Sequence, residues 1–553
     1  MNNEAQKIKN YGIEISAGIA AGVALFFFLT SGIPLMQLGL MRDWGPGKKK
    51  YLNAARWAIA GLGLLLVFLR WKLPWVFESL WLTRAARWVL RLPLGFTAAV
   101  LFILYFFSLS WVVCLRQMAL ETRAFDMGIF SQAVWTTLHG HFIFSSLKGD
   151  ICLLGDHVSP LLAALVIPYA IWSDPRVLLI LQAMAAAGCI FPLVRLVEAQ
   201  FEDKKTALVF ALMYFFYMPT RAAVHEDFHP EVLIKPVLFF AFLWLEQGRR
   251  RLFLFALAVI LSAKENMAGV TFAFGFYALV FKKERGMGMA VMAISAAYLV
   301  FCVRWLVPHL SGQTYLYGGF YAHLAQNGTA GIGALLADKE RWEYVLKVYG
   351  PFLLLPFFDF PTLLLTLPVL FQNLLSVNPV VRSFGYHYTT GQTAFLFIGT
   401  MTALFKIRSR YAWAKKYFDV LLAVLLWVSL LRAGAPEYFY GWQSAKNVTP
   451  RTQMIRKKLA AIPAEERVLT HNNLIPQLAN RMGVYQFNYN PTSTKSGDAL
   501  KYRADAVILD RNFMEPGTGG LETGVRDLKA AGYRLDFEKD GFYILKHAKI
   551  HPS

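Results

Sequence analysis

Continuous apolar runs, separated by short charged or Pro/Gly segments, dominate the chain. Read against flanking charge, they predict membrane helices near 13–30, 55–70, 94–113, 176–197, 206–220, 231–246, 250–263, 266–281, 287–308, 346–358, 361–375, 393–406 and 417–433. A helix needs about 20 apolar residues to cross the hydrocarbon core, so the shorter runs predict tilt or re-entry. The run 159–172, with an internal proline, is expected to lie at the interface instead of crossing. A transmembrane β-barrel would show weak ten-residue alternation in place of continuous runs. After Arg432 the pattern changes to short apolar stretches at 466–470, 506–510 and 541–545, with a helix-like 521–531 between the last two. These predict a small α/β domain. The expected fold class is an all-α polytopic membrane protein of about thirteen transmembrane helices with a small C-terminal α/β domain. Its expected parts are N-terminal spans over 1–92, a transmembrane core over 93–434 with a first external loop at 114–175, and the small domain over 435–553.

Composition fits this class: 56% of the 553 residues are hydrophobic. The net charge of +21 does not point to nucleic acid, because the lysines and arginines collect in inter-span loops, where they set topology and meet anionic lipid. Arg84, Arg87, Arg91, Lys204, Lys205, 249–251, Lys282, Lys283, Arg285 and the basic residues of 406–416 fall on one side, which the positive-inside rule makes cytoplasmic. Lys48, Lys49 and Lys50 disagree. The first apolar run has no small-residue cleavage site after it and reads as a retained span. On this assignment the unusual polar residues and the C-terminal domain share the extracytoplasmic face. Cys114, Cys152, Cys189 and Cys302 lack the spacing of a zinc site or a disulfide framework.

The densest ionisable segment is His225-Glu226-Asp227-Phe228-His229, between two apolar runs. Charge at a membrane edge is expensive enough to suggest a site, although a solvated loop is the simpler alternative. Asp126, among aromatic and aliphatic neighbours, suits a partly desolvated general base and equally suits the N-cap of the apolar segment 127–138. Asp156-His157, just before Ser159-Pro160, carries the same two readings. Lys264-Glu265 sits in a tight turn as a phosphate ligand or as a mutual salt bridge. Arg304, inside the outer end of a span, must snorkel or find an anion. His387 and Tyr388 could contact a sugar, or belong to an interfacial aromatic belt. Asp126, Asp156, Glu226 and Asp227 could hold a divalent metal ion, without diagnostic spacing. Walker, Rossmann, HExxH and GxSxG patterns are absent from the sequence.

Taken in order, FDMGIF (125–130), GDHVSP (155–160), EDFHPE (226–231), KEN (264–266), the 361–368 run with 373–376, and HY (387–388) resemble the bacterial membrane-protein family called domain of unknown function 2079. That family is grouped with the C-type-fold membrane glycosyltransferases, alongside protein O-mannosyltransferases and lipid A aminoarabinose transferases. The resemblance implies inverting sugar transfer from a polyprenyl-phosphate donor to a lipid, glycan or protein acceptor outside the membrane. It also implies an acidic base in the first external loop, a position that Asp126 matches. Many such transferases carry two nearby acids in this loop. Here Asp126 stands alone, with Asp150 and Asp156 further on. The expected roles are catalysis by Asp126 with Asp156 and His157, and substrate binding by Glu226, Asp227, His229, Lys264, Glu265, Arg304, His387 and Tyr388.

Overall fold

The computed structural model describes residues 88–547 apart from 325, 327–332, 334–336, 384, 434–436, 488–494 and 514–519. The expected spans 13–30 and 55–70 and the 48–50 loop lie outside these. Three described helical stretches are long and apolar enough to cross a membrane: Leu94–Met118 (α1), Arg176–Phe201 and Arg285–Ser311. A fourth is possible if Lys204–Phe216 (α2) and Met218–His225 (α3), bent by 44°, form one span. The bend follows from sequence. Pro219 has no N–H to continue the ladder from α2, and Tyr217 leaves helical geometry at ψ 104°.

The expectation of about thirteen spans is therefore met only in part, for a physical reason visible in the remaining runs. Charged turns, together with proline and glycine, cut many of them into helices of 12 to 16 residues, including Lys235–Glu246 (α4), Arg250–Ala263 (α5), Met267–Val280 (α6), Phe360–Leu375 (α7) and Phe418–Leu431. The run expected as span 346–358 is the end of a helix, Lys339–Tyr349, followed by two 3-10 turns at Gly350–Phe352 and Leu355–Phe358. Residues 160–171 form a 3-10 turn and a short helix, too short to cross. Helix α6 packs closely on the start of Arg285–Phe301 through glycine: a Cβ at Gly288 would sit 2.7 Å from the Gly275 carbonyl oxygen.

The basic loops gather at one end of the bundle. Lys204 donates to the carbonyls of Val89 and Leu90, Lys205 pairs with Asp419, Arg250 with Glu284, and Lys282 with Glu246. Chain alternation then carries the ends of α1, α3, α5 and α7, and the start of Thr390–Arg410 (α8), to the opposite end. The chemically unusual residues of the sequence lie there.

The tail folds as expected into a small sheet domain. Five strands, Val468–Thr470 (β1), Val484–Gln486 (β2), Ala506–Asp510 (β3), Tyr533–Lys539 (β4) and Phe542–His547 (β5), are ordered β2-β1-β3-β5-β4. The first three in this order are parallel and the last two join antiparallel. Every residue of β3 is buried, as a central strand covered on both faces requires. One face packs Ile455 and Leu459, together with Leu120 and Ala124 of the first loop, so this domain shares a core with the loop beside it. The other face packs Leu521 and Leu528. Before the sheet, helix Glu437–Asn447 lies along α1, with Gly441 directly against the Trp111 ring.

Candidate active site

After α1 the chain turns sharply through Arg123–Gly128, where the Gly128 amide donates to the Arg123 carbonyl at 3.0 Å. Inside this turn Asp126 adopts φ 84° and ψ −82°, a conformation that costs a non-glycine residue about 1–3 kcal/mol and is kept only where surroundings enforce it. Those surroundings come from two distant segments. The Arg123 amide donates to Asp227 Oδ2 at 2.7 Å, and the Ala124 amide donates to Asn472 Oδ1 of the C-terminal domain at 2.7 Å. Gly128 fits directly against Ile475, where a Cβ would lie 2.8 Å from that side chain. Asp126 does not cap the next helix, Ile129–Leu138, whose N-cap is Gly128. Its carboxylate is 43% exposed and lies 3.4 Å from His229 Nε2.

The segment 226–231 is buried, not a solvated loop: Asp227, His229 and Glu231 are each under 5% exposed. The His229 amide donates to Gln182 Oε1 at 2.7 Å, and His229 Nδ1 lies 2.9 Å from the Asp227 carbonyl oxygen. Its ring stacks on His387 at 3.5 Å between centroids. His387 is seated by Glu226, whose Oε2 accepts from the His387 amide at 3.0 Å and lies 3.1 Å from its Nδ1. Tyr388 packs beside it, 4.3 Å between ring centroids. Asp227, from this second loop, is the acid that meets the first loop, through the Arg123 amide.

Lys264 and Glu265 do not pair with each other. Lys264 Nζ reaches Glu231 at 2.8 Å, whereas Glu265 accepts from His157 Nδ1 (2.9 Å), the Val158 amide (2.9 Å) and Tyr315 Oη (2.7 Å). His157 stacks on Tyr317, which donates to Asp156, and Asp156 pairs with Lys148 at 2.8 Å. Lys148 in turn stands 5.8 Å over the Phe125 ring, next to Asp126. Ten of the eleven residues singled out from sequence join this one network of contacts. Arg304 lies outside it: it is exposed on a π-helical turn, Cys302–Leu306, two turns before Ser311 and so toward the same end of the bundle, with no ion pair among the described residues.

Electrostatics divide the site. Burial pushes the Asp126 carboxyl up, but the charge and contact of His229 outweigh it and hold the group at about 2. The expectation that burial would raise its proton affinity is therefore reversed by the histidine. Burial lifts Glu226 to about 7 against His229, and Asp227 to about 6 against Arg116 and the Arg123 amide. For His229, burial disfavours the charge, yet Asp126 and then Glu226 and Glu231 raise it to about 9. His387 moves the other way, held well below the usual range by burial and by His229. Two stacked imidazoles cannot both carry charge. Burial opposes the Glu265 charge, but His157 leads the contacts that bring it down to about 2. Lys264 is raised despite burial, by Glu231 and Glu265.

Glu231, Gln182, Tyr315, Tyr317 and Asn472 were not singled out from sequence. Gln182 had a signal, a lone amide within an apolar helix, which must find partners. It donates to the carbonyls of Ala223 and Val224 and receives the His229 amide. Asn472 had none, since only folding brings it 2.7 Å from an amide 348 residues away.

With this geometry in hand, residues 116–542 match the family of predicted membrane proteins designated DUF2079. The chain belongs to that family. A crystal structure of ArnT from Cupriavidus metallidurans bound to undecaprenyl phosphate matches with a TM-score of 0.50 at 11% identity, covering 81% of this chain and 97% of that one. The apo-state crystal structure of the same protein gives 0.48 at 10%, with the same coverage. This likeness is one of fold alone, extending over 81% of the chain. No curated protein matches the chain by sequence.

Proposed function

We propose that this membrane protein transfers a sugar from a polyprenyl-phosphate carrier to an acceptor hydroxyl, with inversion, at the extracytoplasmic end of the bundle. The observation that carries the reading is Asp126: an ionised, half-exposed carboxylate in an enforced turn, backed by a buried histidine. The fold is shared with ArnT, which was crystallised with undecaprenyl phosphate, and this supports a carrier of that class. The gathering of basic loops at the opposite end supports the sidedness.

In a single displacement the acceptor oxygen attacks the sugar while the carrier phosphate departs. The acceptor hydroxyl donates to Asp126, which takes its proton as the bond forms. His229 orients that carboxylate and stabilises its charge. The leaving phosphate needs no proton, only charge stabilisation. Lys264 is committed to Glu231, so Arg304, exposed near the end of its span, is the cation we assign to the carrier phosphate. Tyr388, half-buried and packed on the buried His387 ring, presents its ring to the sugar, and His387 holds it in place.

The test is transfer of radiolabelled sugar from a panel of polyprenyl-phosphate sugars by purified protein in lipid, against Asp126→Asn. Transfer by wild type and not by the variant is expected. Full transfer by a correctly inserted variant would remove Asp126 as base. Binding of carrier lipid with no donor consumed would favour a transporter of lipid-linked substrates, and function lost only on deleting 436–553 would favour a non-catalytic envelope protein.

A further inference from the structure

We infer that Arg341 and Arg382 form a binding site for the phosphodiester headgroup of an anionic membrane phospholipid. The two side chains come from different elements, the helix Lys339–Tyr349 and the 3-10 turn Pro379–Arg382 beyond α7, and they converge on one neutral atom. The Ser376 carbonyl oxygen accepts from Arg382 Nη1 at 2.8 Å and lies 3.4 Å from both Nη1 and Nη2 of Arg341. Arg341 is only 8% exposed. Two cations that meet on a carbonyl repel each other, and Asp338, 3.1 Å from Arg341 Nε, is the one carboxylate in ion-pair reach of either among the described residues. Burial, and then Arg382, lower the proton affinity of Arg341. Arg382 Nε is buried with no hydrogen-bond partner among the described residues. Paired guanidinium forks fit the oxygens of a phosphate, whose charge removes the repulsion between them.

The surroundings of the pair point to a lipid as the source of the phosphate. Trp342 and Leu346 on the helix of Arg341, and Val377 and Val380 next to Arg382, are exposed. Guanidinium and open apolar surface therefore lie side by side, as the border between headgroups and hydrocarbon requires, and a free phosphate gains nothing from such a rim. The end of α7 lies away from the basic loops, on the side where the positive-inside bias disfavours arginine. A pair of arginines there calls for a bound anion. Arg304, assigned above to the carrier phosphate, stands on a different helix. Behind the pair, Tyr344 Oη accepts from Asn373 and from Gln392 at 2.8 Å each, and Asn373 also donates to the Tyr388 carbonyl at 3.0 Å. A lipid held here thus braces the Tyr388 loop from outside.

The inference does not depend on the transferase reading, and its test uses no sugar donor. Full-length protein, delipidated in a neutral detergent, is titrated with dioleoylphosphatidylglycerol, dioleoylphosphatidylcholine, undecaprenyl phosphate and inorganic phosphate, and bound molecules are counted by native mass spectrometry. Phosphatidylglycerol is expected to bind at about one per chain, at least about tenfold more tightly than phosphatidylcholine. Arg341→Gln and Arg382→Gln should each abolish that preference, and Arg526→Gln, at an exposed arginine of the sheet domain, should leave it unchanged. Equal binding of the two phospholipids by wild type, or an undiminished preference in both arginine variants, would overturn the assignment. Tighter binding of undecaprenyl phosphate at the same arginines would give the site to the carrier, and saturation by inorganic phosphate alone would give it to a free anion; either result removes the phospholipid. If the glutamine variants fail to fold, Arg382→Lys, which keeps the charge and loses the fork, should lower the preference in part, and an unaltered preference there refutes the site.

Discussion

The group of Asp126, His229 and His387 and the group of Lys264, Glu265 and His157 both set carboxylate against histidine but match their charges differently. In the second group each charge has a close partner: Lys264 meets Glu231 at 2.8 Å, and Glu265 accepts three hydrogen bonds. In the first group the backbone of Asp126 is forced, its carboxylate is open, two imidazoles stack, and Glu226 and Asp227 are pushed toward neutrality. A closed network leaves little interaction for a ligand, whereas an unbalanced one holds free energy that a substrate can use. The second group is accordingly a brace, and the first is where chemistry is expected.

The largest effect expected from this contrast is catalytic. Asp126→Asn should lower turnover by roughly 10²–10⁴-fold, the usual range for a general base, with the melting temperature nearly unchanged, since asparagine has the shape of aspartate and the turn is held by the Arg123 and Ala124 amides. Transfer assays and thermal melts on the same preparation check both halves. Lys264→Ala should do the reverse and destabilise the fold by about 3–5 kcal/mol, because it strands buried Glu231. A variant that melts like wild type but loses donor affinity would return Lys264 to the phosphate.

The brace also has a pH signature. The Glu265 carboxyl is depressed to about 2, so its stabilisation is fully present above the ordinary carboxylate range and is lost as pH falls toward 2. Melting temperatures measured from pH 7 to pH 3 should fall, and Glu265→Gln should start lower by about 1.5–3 kcal/mol and fall less. Asn472→Ala should cost about 1 kcal/mol of stability and a larger share of activity, since it releases the Ala124 amide next to the forced turn; hydrogen exchange at 123–128 should rise. Smallest is Arg304→Ala, expected to raise donor KM about fivefold, near 1 kcal/mol, with turnover unchanged. An unchanged KM would remove Arg304 from the phosphate.

Much of the cluster could be read along the chain because buried charge in an apolar protein is costly wherever it occurs. Asp126, Glu226, His229, Lys264 and His387 stand out against apolar runs, and their shared end of the bundle follows from alternating direction. What could not be read was who meets whom. Lys264 and Glu265 are neighbours that turn away from each other, because consecutive residues beside a helix start point in different directions and each finds a better partner across the bundle. Arg304 looked equivalent to Lys264 and is exposed instead.

The sequence by itself determined the class of molecule, the change from helical bundle to sheet domain after residue 434, and the residue types available for chemistry, since hydrophobic periodicity and the cost of charge in lipid act locally. Only the tertiary structure decided that Asn472 and Asp227 hold the Asp126 turn from 348 and 104 residues away, and that the Asp126 carboxyl is held down while that of Glu226 is pushed up. Proton affinity depends on distances and burial between elements, and those exist only once the helices have packed.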